Sequence, residues 1–265
     1  MIRTLSDLSK IKCFLLDMDG TFYLGDRLLE GSLDFLAALS RTGRKALFLT
    51  NNSSKSADAY IQKLRRMGVD APFLNVYTSG QAAGEYLVKN YPGKRVFLLG
   101  NEHLEKELEA IGLAADQAAP DIVLVGFDTT LTYDKMTRAC DFVRAGLPLI
   151  ATHPDFNCPT ETGFIPDIGA ILAFIEASTG RRPDLILGKP YPGIVQGALR
   201  KIGCAASETA IVGDRLYTDI AAGVNNNMTA ILVLTGEATR QDVEDSPVRP
   251  HLIIERLSGM IPYLS

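Results

Sequence analysis

Along most of the chain, short β-branched and leucine-rich runs alternate with stretches in which apolar residues recur every three or four positions. That alternation predicts strands joined by helices, and hence an α/β fold with a mainly parallel sheet. The runs put strands at Lys12–Leu16, Ala46–Thr50, Arg95–Leu99, Ile122–Val125, Leu149–Thr152, Leu185–Leu187, Ala210–Val212, Ala230–Leu234 and Leu252–Ile254. Between them Ala57, Ile61, Leu64 and Met67 share one helical face, as do Met136, Cys140 and Val143, and Ile194, Ala198, Leu199 and Ile202. No repeat, low-complexity tract or flexible linker marks a domain boundary, so the boundary must come from motifs.

Composition narrows the function classes. The 265 residues exceed a single domain of about 100–200 residues, which leaves one large domain or a core with a smaller partner. Apolar residues are 46% and charged residues 22%, the balance of a chain that folds unaided. A net charge of −4 without a dense Lys/Arg block argues against nucleic acid and anionic membranes as partners. No segment approaches the ~20 apolar residues of a membrane span. Met1–Lys12 lacks the apolar centre of a signal peptide, and the expected location is the cytoplasm. Cys13, Cys140, Cys158 and Cys204 are scattered without a CxxC pair, which predicts reduced thiols.

Four apolar runs end in chemistry-bearing residues. Asp17-Met18-Asp19-Gly20-Thr21 follows Cys13-Phe14-Leu15-Leu16, so two carboxylates stand at the carboxyl end of a strand, where open α/β sheets bind ligands. Two acids at that spacing suit a hard cation, and Gly20 permits a sharp turn beside a bound group. Leu47–Asn52 runs into Ser53-Ser54, with Thr50 and the following N–H groups suited to phosphate oxygens and Ser53 or Ser54 suited to a helix cap. Lys189 in Gly188-Lys189-Pro190 stands just past Leu185–Leu187 and fits either a solvated loop or a charge projected into the same crevice. Asp214 and Asp219 follow Ala210-Ile211-Val212 and fit either a cation site with its support or a helix cap and a first-turn acid. Jointly, an acid pair, a hydroxyl, a lysine and a second acid pair are what phosphoryl transfer to a carboxylate requires: an anion attacking an anion needs fixed positive charge and donors.

At these motifs the sequence resembles the haloacid dehalogenase superfamily of aspartyl phosphatases. Leu49-Thr50-Asn51-Asn52, Gly188-Lys189-Pro190 and Gly213–Asp219 resemble its 4-nitrophenylphosphatase and NagD-like subfamily (IIA), over essentially the whole chain. The resemblance implies a Rossmann-like parallel-sheet core, residues 1–78 and 184–265, with an inserted α/β cap of the C2 type at 79–183. It implies Asp17 as nucleophile and metal ligand, and Asp19 as general acid/base and ligand through its carbonyl. It further implies Gly20, Thr50, Asn51 and Asn52 at the phosphoryl group, Lys189 balancing charge, Asp214 completing a Mg²⁺ site and Asp219 behind it. Thr152-His153-Pro154-Asp155 and Gly163–Gly169 resemble the subfamily's substrate-facing loop. Asparagine often stands at the position of His153 in that family, and glycine at the position of Asp167.

The expected activity is magnesium-dependent hydrolysis of a small phosphomonoester through an aspartyl phosphate, on a nucleotide, pyridoxal phosphate, phosphoglycolate, a sugar phosphate or 4-nitrophenyl phosphate. His153, Asp155, Phe156 and Asn157, with Thr160 and Glu161 nearby, are the candidate leaving-group contacts. Cap-mediated homodimers occur among such proteins. Two other classes stay open: a phosphoacceptor signalling domain and a non-catalytic phosphate-binding protein. The first is disfavoured by chain length and by two acids on one strand end, the second by the full set of motif acids.

Overall fold

In the computed structural model, which describes residues 4–160 and 162–264, strands and helices alternate as the periodicities predict, and the fold is α/β. Two compact units form, one from Met1–Thr50, Asp58–Tyr77 and Lys189–Ser265, the other from Asn51–Ala57 and Thr78–Gly188. Among the described residues no helix is long and apolar enough to cross a membrane. Glu161 lies outside the described residues.

The first unit is built on a six-stranded sheet ordered Leu252–Ile254, Thr229–Val233, Thr209–Gly213, Cys13–Leu16, Lys45–Thr50 and Val76–Thr78. The pairs from Leu252–Ile254 through Lys45–Thr50 are parallel. Leu16 lies beside both Val212 and Phe48, so Asp17, Gly213 and Leu49 stand level with one another at the carboxyl ends of three neighbouring strands. That shared register, set by fully buried Phe14, Leu15, Leu47, Phe48 and Val212, is what collects the motif residues.

The second unit has a four-stranded parallel sheet ordered Leu185–Ile186, Leu149–Ala151, Ile122–Val125 and Val96–Leu99. Alternate residues feed opposite cores. Phe97, Val123 and Val125 pack with the helices Tyr133–Arg144 and Ile168–Thr179, whereas Leu98, Ile122 and Leu124 pack with Ser79–Asn90 and Glu102–Glu109. A sheet covered on both faces explains why these strands read as unbroken apolar runs.

Three features differ from expectation. The strand Val76–Thr78 and the hairpins Tyr23–Leu24/Arg27–Leu28 and Asn157–Thr160/Gly163–Pro166 are additional; each is too short, or too interrupted by proline and polar residues, to produce a period. Asn51–Ala57, assigned to the core from the motifs, packs in the second unit. There Ser53 Oγ accepts from Phe127 N–H (2.9 Å) and meets Thr152 Oγ1 (3.0 Å), so it serves a buried polar cluster instead of a helix cap. Cys13 and Cys204 are joined as a disulfide with Cα atoms 6.5 Å apart, because the strand Cys13–Leu16 and the segment just past the helix Pro192–Ile202 converge across 191 residues of sequence; Cys140 and Cys158 are free.

Candidate active site

The first unit gathers Asp17, Asp214, Asp219 and Lys189 at the carboxyl end of its central strands. Lys189 is buried, and its Nζ donates to Asp17 Oδ1 (2.6 Å), Asp219 Oδ1 (2.6 Å) and the Leu49 carbonyl (3.1 Å). It is followed by a cis Lys189–Pro190 bond. All three donor protons of the ammonium thereby have acceptors. Burial alone would lower its pKa, but the charges of Asp17 and Asp219 outweigh burial and raise it, so the lysine stays charged.

The carboxylates are strained electrostatically in the opposite sense. Burial pushes Asp17 well above the ordinary carboxylate range; Lys189 pulls it back, while Asp219 and Asp214 push it further up. Asp214 is pushed up to about 6, first by burial and then by Asp219, against the lowering effect of the Glu237 N–H bonded to it. One oxygen each of Asp17, Asp214 and Asp219 lie within 4.8 Å of one another. Two buried acids and the partly exposed Asp17 against one lysine form a site short of positive charge, and an all-oxygen donor set suits a hard divalent cation.

Local structure explains each placement. After the strand ends, the N–H groups of Thr21, Phe22 and Tyr23 all point to the Met18 carbonyl, and Gly20 sits at φ +83°, which closes a tight loop around Asp19. Tyr23, fully buried, has its hydroxyl pKa raised by burial and then by Asp19, to which it hydrogen-bonds. Asp219 lies in the wide π-type turn Leu216–Ile220, with Ile220 N–H bonded to the Arg215 carbonyl (3.1 Å). Such turns re-aim a side chain within a helical segment. Here Asp219 Oδ2 takes Thr218 Oγ1 (3.3 Å) and Arg215 N–H (3.4 Å), leaving Oδ1 for the lysine. Arg215 pairs with Glu237 (3.0 Å), and Tyr217 is exposed.

The structure thus brings Asp17, Asp214, Asp219 and Lys189 together, with Gly20 packed against Asp214 and Thr50 buried at the end of Lys45–Thr50. In the second unit, Asn51 Nδ2 donates to both oxygens of Asp155 (3.3 and 3.2 Å), and Asn52 Oδ1 accepts from Ser54 N–H (2.8 Å). Phe156 and Asn157 are exposed, whereas His153 has no exposed surface and both ring nitrogens are engaged, so in this geometry it offers nothing to a substrate. Sequence reasoning passed over Tyr23 and the role of Thr235, whose hydroxyl donates to the Gly20 carbonyl (2.6 Å). The legible signal was a Thr-Gly pair just past the strand Thr229–Val233.

Gly236 is the tightest of these supports: a Cβ there would overlap the Asp214 carboxylate. Gly236→Ala is expected to lower affinity for Mg²⁺ or Mn²⁺, measured by calorimetry, by about 10-fold or more, the scale of a displaced supporting group. Gly259→Ala, with open space around it, is the control that should leave affinity unchanged. Equal affinities in the two variants would contradict this packing account.

Comparison with known proteins agrees with the geometry. Residues 14–114 match the family model "Haloacid dehalogenase-like hydrolase", and residues 186–260 match a second model of HAD-hydrolase-like proteins. Acid sugar phosphatase of Staphylococcus aureus (strain MRSA252) is 38% identical over 258 residues, 97% of this chain and 99% of that protein. The crystal structure of 4-nitrophenylphosphatase from Thermotoga maritima superposes with a TM-score of 0.94 at 48% identity, covering 97% of this chain and 99% of that one. NagD from E. coli K-12 gives 0.86 at 35% identity, covering 94% and 97%. The chain belongs to the haloacid dehalogenase-like hydrolase family and is a phosphatase of phosphomonoesters, similar to the 4-nitrophenylphosphatase and NagD-like enzymes.

Proposed function

We propose that the enzyme hydrolyses small phosphomonoesters, sugar phosphates and 4-nitrophenyl phosphate among them, through a phosphorylated Asp17 with Mg²⁺ as cofactor. The observation that carries the reading is the Lys189 bridge between Asp17 and Asp219 inside a three-carboxylate cluster. The relatives named acid sugar phosphatase and 4-nitrophenylphosphatase support the choice of substrate class.

Asp17 and Asp214, with the Asp19 carbonyl, would hold the cation, and Asp219 would support it from behind. When bound, Mg²⁺ supplies the positive charge that lets a carboxylate approach a phosphate dianion. An Asp17 oxygen attacks phosphorus, the ester P–O bond breaks, and Asp19 gives its proton to the leaving alcohol. Water then attacks the phosphorus of the aspartyl phosphate, Asp19 takes the water's proton, and inorganic phosphate departs with Asp17 restored. Tyr23, hydrogen-bonded to Asp19, restricts where that acid can point. Lys189 holds Asp17 in place and offsets its charge, while Thr50, Asn51 and Asn52 take the phosphoryl oxygens. Phe156 and Asn157, both exposed, are assigned to the leaving group.

Two outcomes are expected. Asp17→Asn, folded by circular dichroism, should lose phosphate release from 4-nitrophenyl phosphate by more than the ~10²–10⁴-fold of an acid/base residue. Wild-type rates in that variant would overturn the mechanism. The second concerns pH. Asp214, raised to about 6, keeps a proton in the folded metal-free protein that the unfolded chain releases near pH ~4, so metal-free stability falls as pH rises through that window. A cation needs the ionised form and competes with that proton. Half-activating magnesium should therefore fall as pH rises through about 6, and because Asp17, the other carboxylate that would hold the cation, is also raised, the fall should continue above that value. A constant value from about pH 4.5 to about 7.5 would contradict the assignment of Asp214.

A further inference from the structure

The second unit contains a buried polar chain that the hydrolytic roles leave unused. His153 Nε2 lies 3.0 Å from Asp167 Oδ1, and Nδ1 lies 3.0 Å from Thr152 Oγ1. Thr152 Oγ1 in turn meets Ser53 Oγ (3.0 Å), which accepts from Phe127 N–H. One order of donors satisfies every group. Asp167 as a carboxylate only accepts, so His153 donates from Nε2; Nδ1 then accepts from Thr152, and Thr152 accepts from Ser53. Ser79 Oγ, 3.4 Å from Nδ1, spends its proton on the Asn51 carbonyl.

Asp167 also ties down the segment that precedes the hairpin. Its carboxylate caps the helix Ile168–Thr179, accepting from Ile168 N–H (2.6 Å). Its own N–H donates to the Phe156 carbonyl (2.9 Å), and Gly169 N–H donates to the Asp155 carbonyl (2.7 Å). Gly169 is required there, since a Cβ would stand 2.7 Å from the Pro154 oxygen. Residues 153–156 are thereby laid onto the first turn of that helix, and the Asp155 carboxylate held by them grips the Asn51 carboxamide. His153, Asp155 and Asp167 lie near enough to share a cation, but these hydrogen bonds already account for the cluster.

We infer that His153 and Asp167 form a positioning pair that fixes Asp155, and through it the side chain of Asn51, and so sets affinity for the phosphate ester. This rests on the reading that Asn51 holds the transferring phosphoryl group. Removing either partner leaves buried polar groups unsatisfied, which the segment relieves only by moving.

The test compares wild type with His153→Asn, Asp167→Ala, the double variant and Asp167→Asn, which keeps an acceptor for Nε2–H. Each is assayed with 4-nitrophenyl phosphate and Mg²⁺, and each has its Asn51 side-chain amide followed by NMR, assigned by its loss in Asn51→Ala. Expected are a KM about 10-fold higher in either disrupting variant, the scale of a lost charge-assisted contact, with kcat within about 3-fold and half-activating magnesium unchanged. The double variant should be no worse than the singles, Asp167→Asn should stay near wild type, and the Asn51 amide should shift wherever KM rises. An unmoved Asn51 amide, or single effects that multiply in the double variant, overturns the pairing. Should wild type release no phosphate, the phosphatase mechanism fails on its own, and the amide still decides the positioning claim.

Discussion

The site depends on one electrostatic constraint: three carboxylates, two of them buried, are brought to the carboxyl end of the central strands with a single lysine among them. Removing one partner of such a buried pair typically costs about 3–5 kcal/mol, because the other charge is left without compensation. Lys189 therefore has to reach both Asp17 and Asp219, and the Leu49 carbonyl takes its third proton. The wide turn Leu216–Ile220, the loop closed on Met18 and the close approach of Gly236 to Asp214 are the local geometries that make this convergence sterically attainable. A lysine that stays charged beside acids whose pKa values are raised describes a site poised for a further cation.

The second unit meets its buried polar groups differently. Its sheet is apolar on both faces, and one of its buried polar networks runs from Ser53 through Thr152 and His153 to Asp167. No lysine or arginine enters that chain; hydroxyls, an imidazole and one capping carboxylate satisfy one another. Networks of this type rigidify when every member has a partner and fail together when one is removed.

What was legible in the sequence follows from the same physics. Strand ends could be read because parallel strands covered on both faces are unbroken apolar runs, and parallel register alone then gathers Asp17, Gly213-Asp214 and Leu49-Thr50. Side chains whose role comes from partners far along the chain could not be read that way. Ser53 looked like a helix cap until Thr152, 99 residues later, claimed its hydroxyl. Cys13 and Cys204 looked unrelated because no local spacing encodes a contact 191 residues apart. Tyr23 belongs to no motif or period, and its interaction with Asp19 appears only once the loop closes. His153 and Asp167, at positions where the resemblance led to an expectation of asparagine and glycine, are each other's partners.

The central claim is that Asp17 itself carries the phosphoryl group during turnover. The direct measurement is to mix enzyme, magnesium and a phosphate ester, quench with acid within the turnover time, and locate phosphorylation by mass spectrometry of the peptides. The account predicts a phosphoryl group on Asp17, sensitive to base as an acyl phosphate is, present with substrate and absent in Asp17→Asn. Steady phosphate release with no phosphorylated Asp17 at any quench time, or the label on another residue, would contradict it.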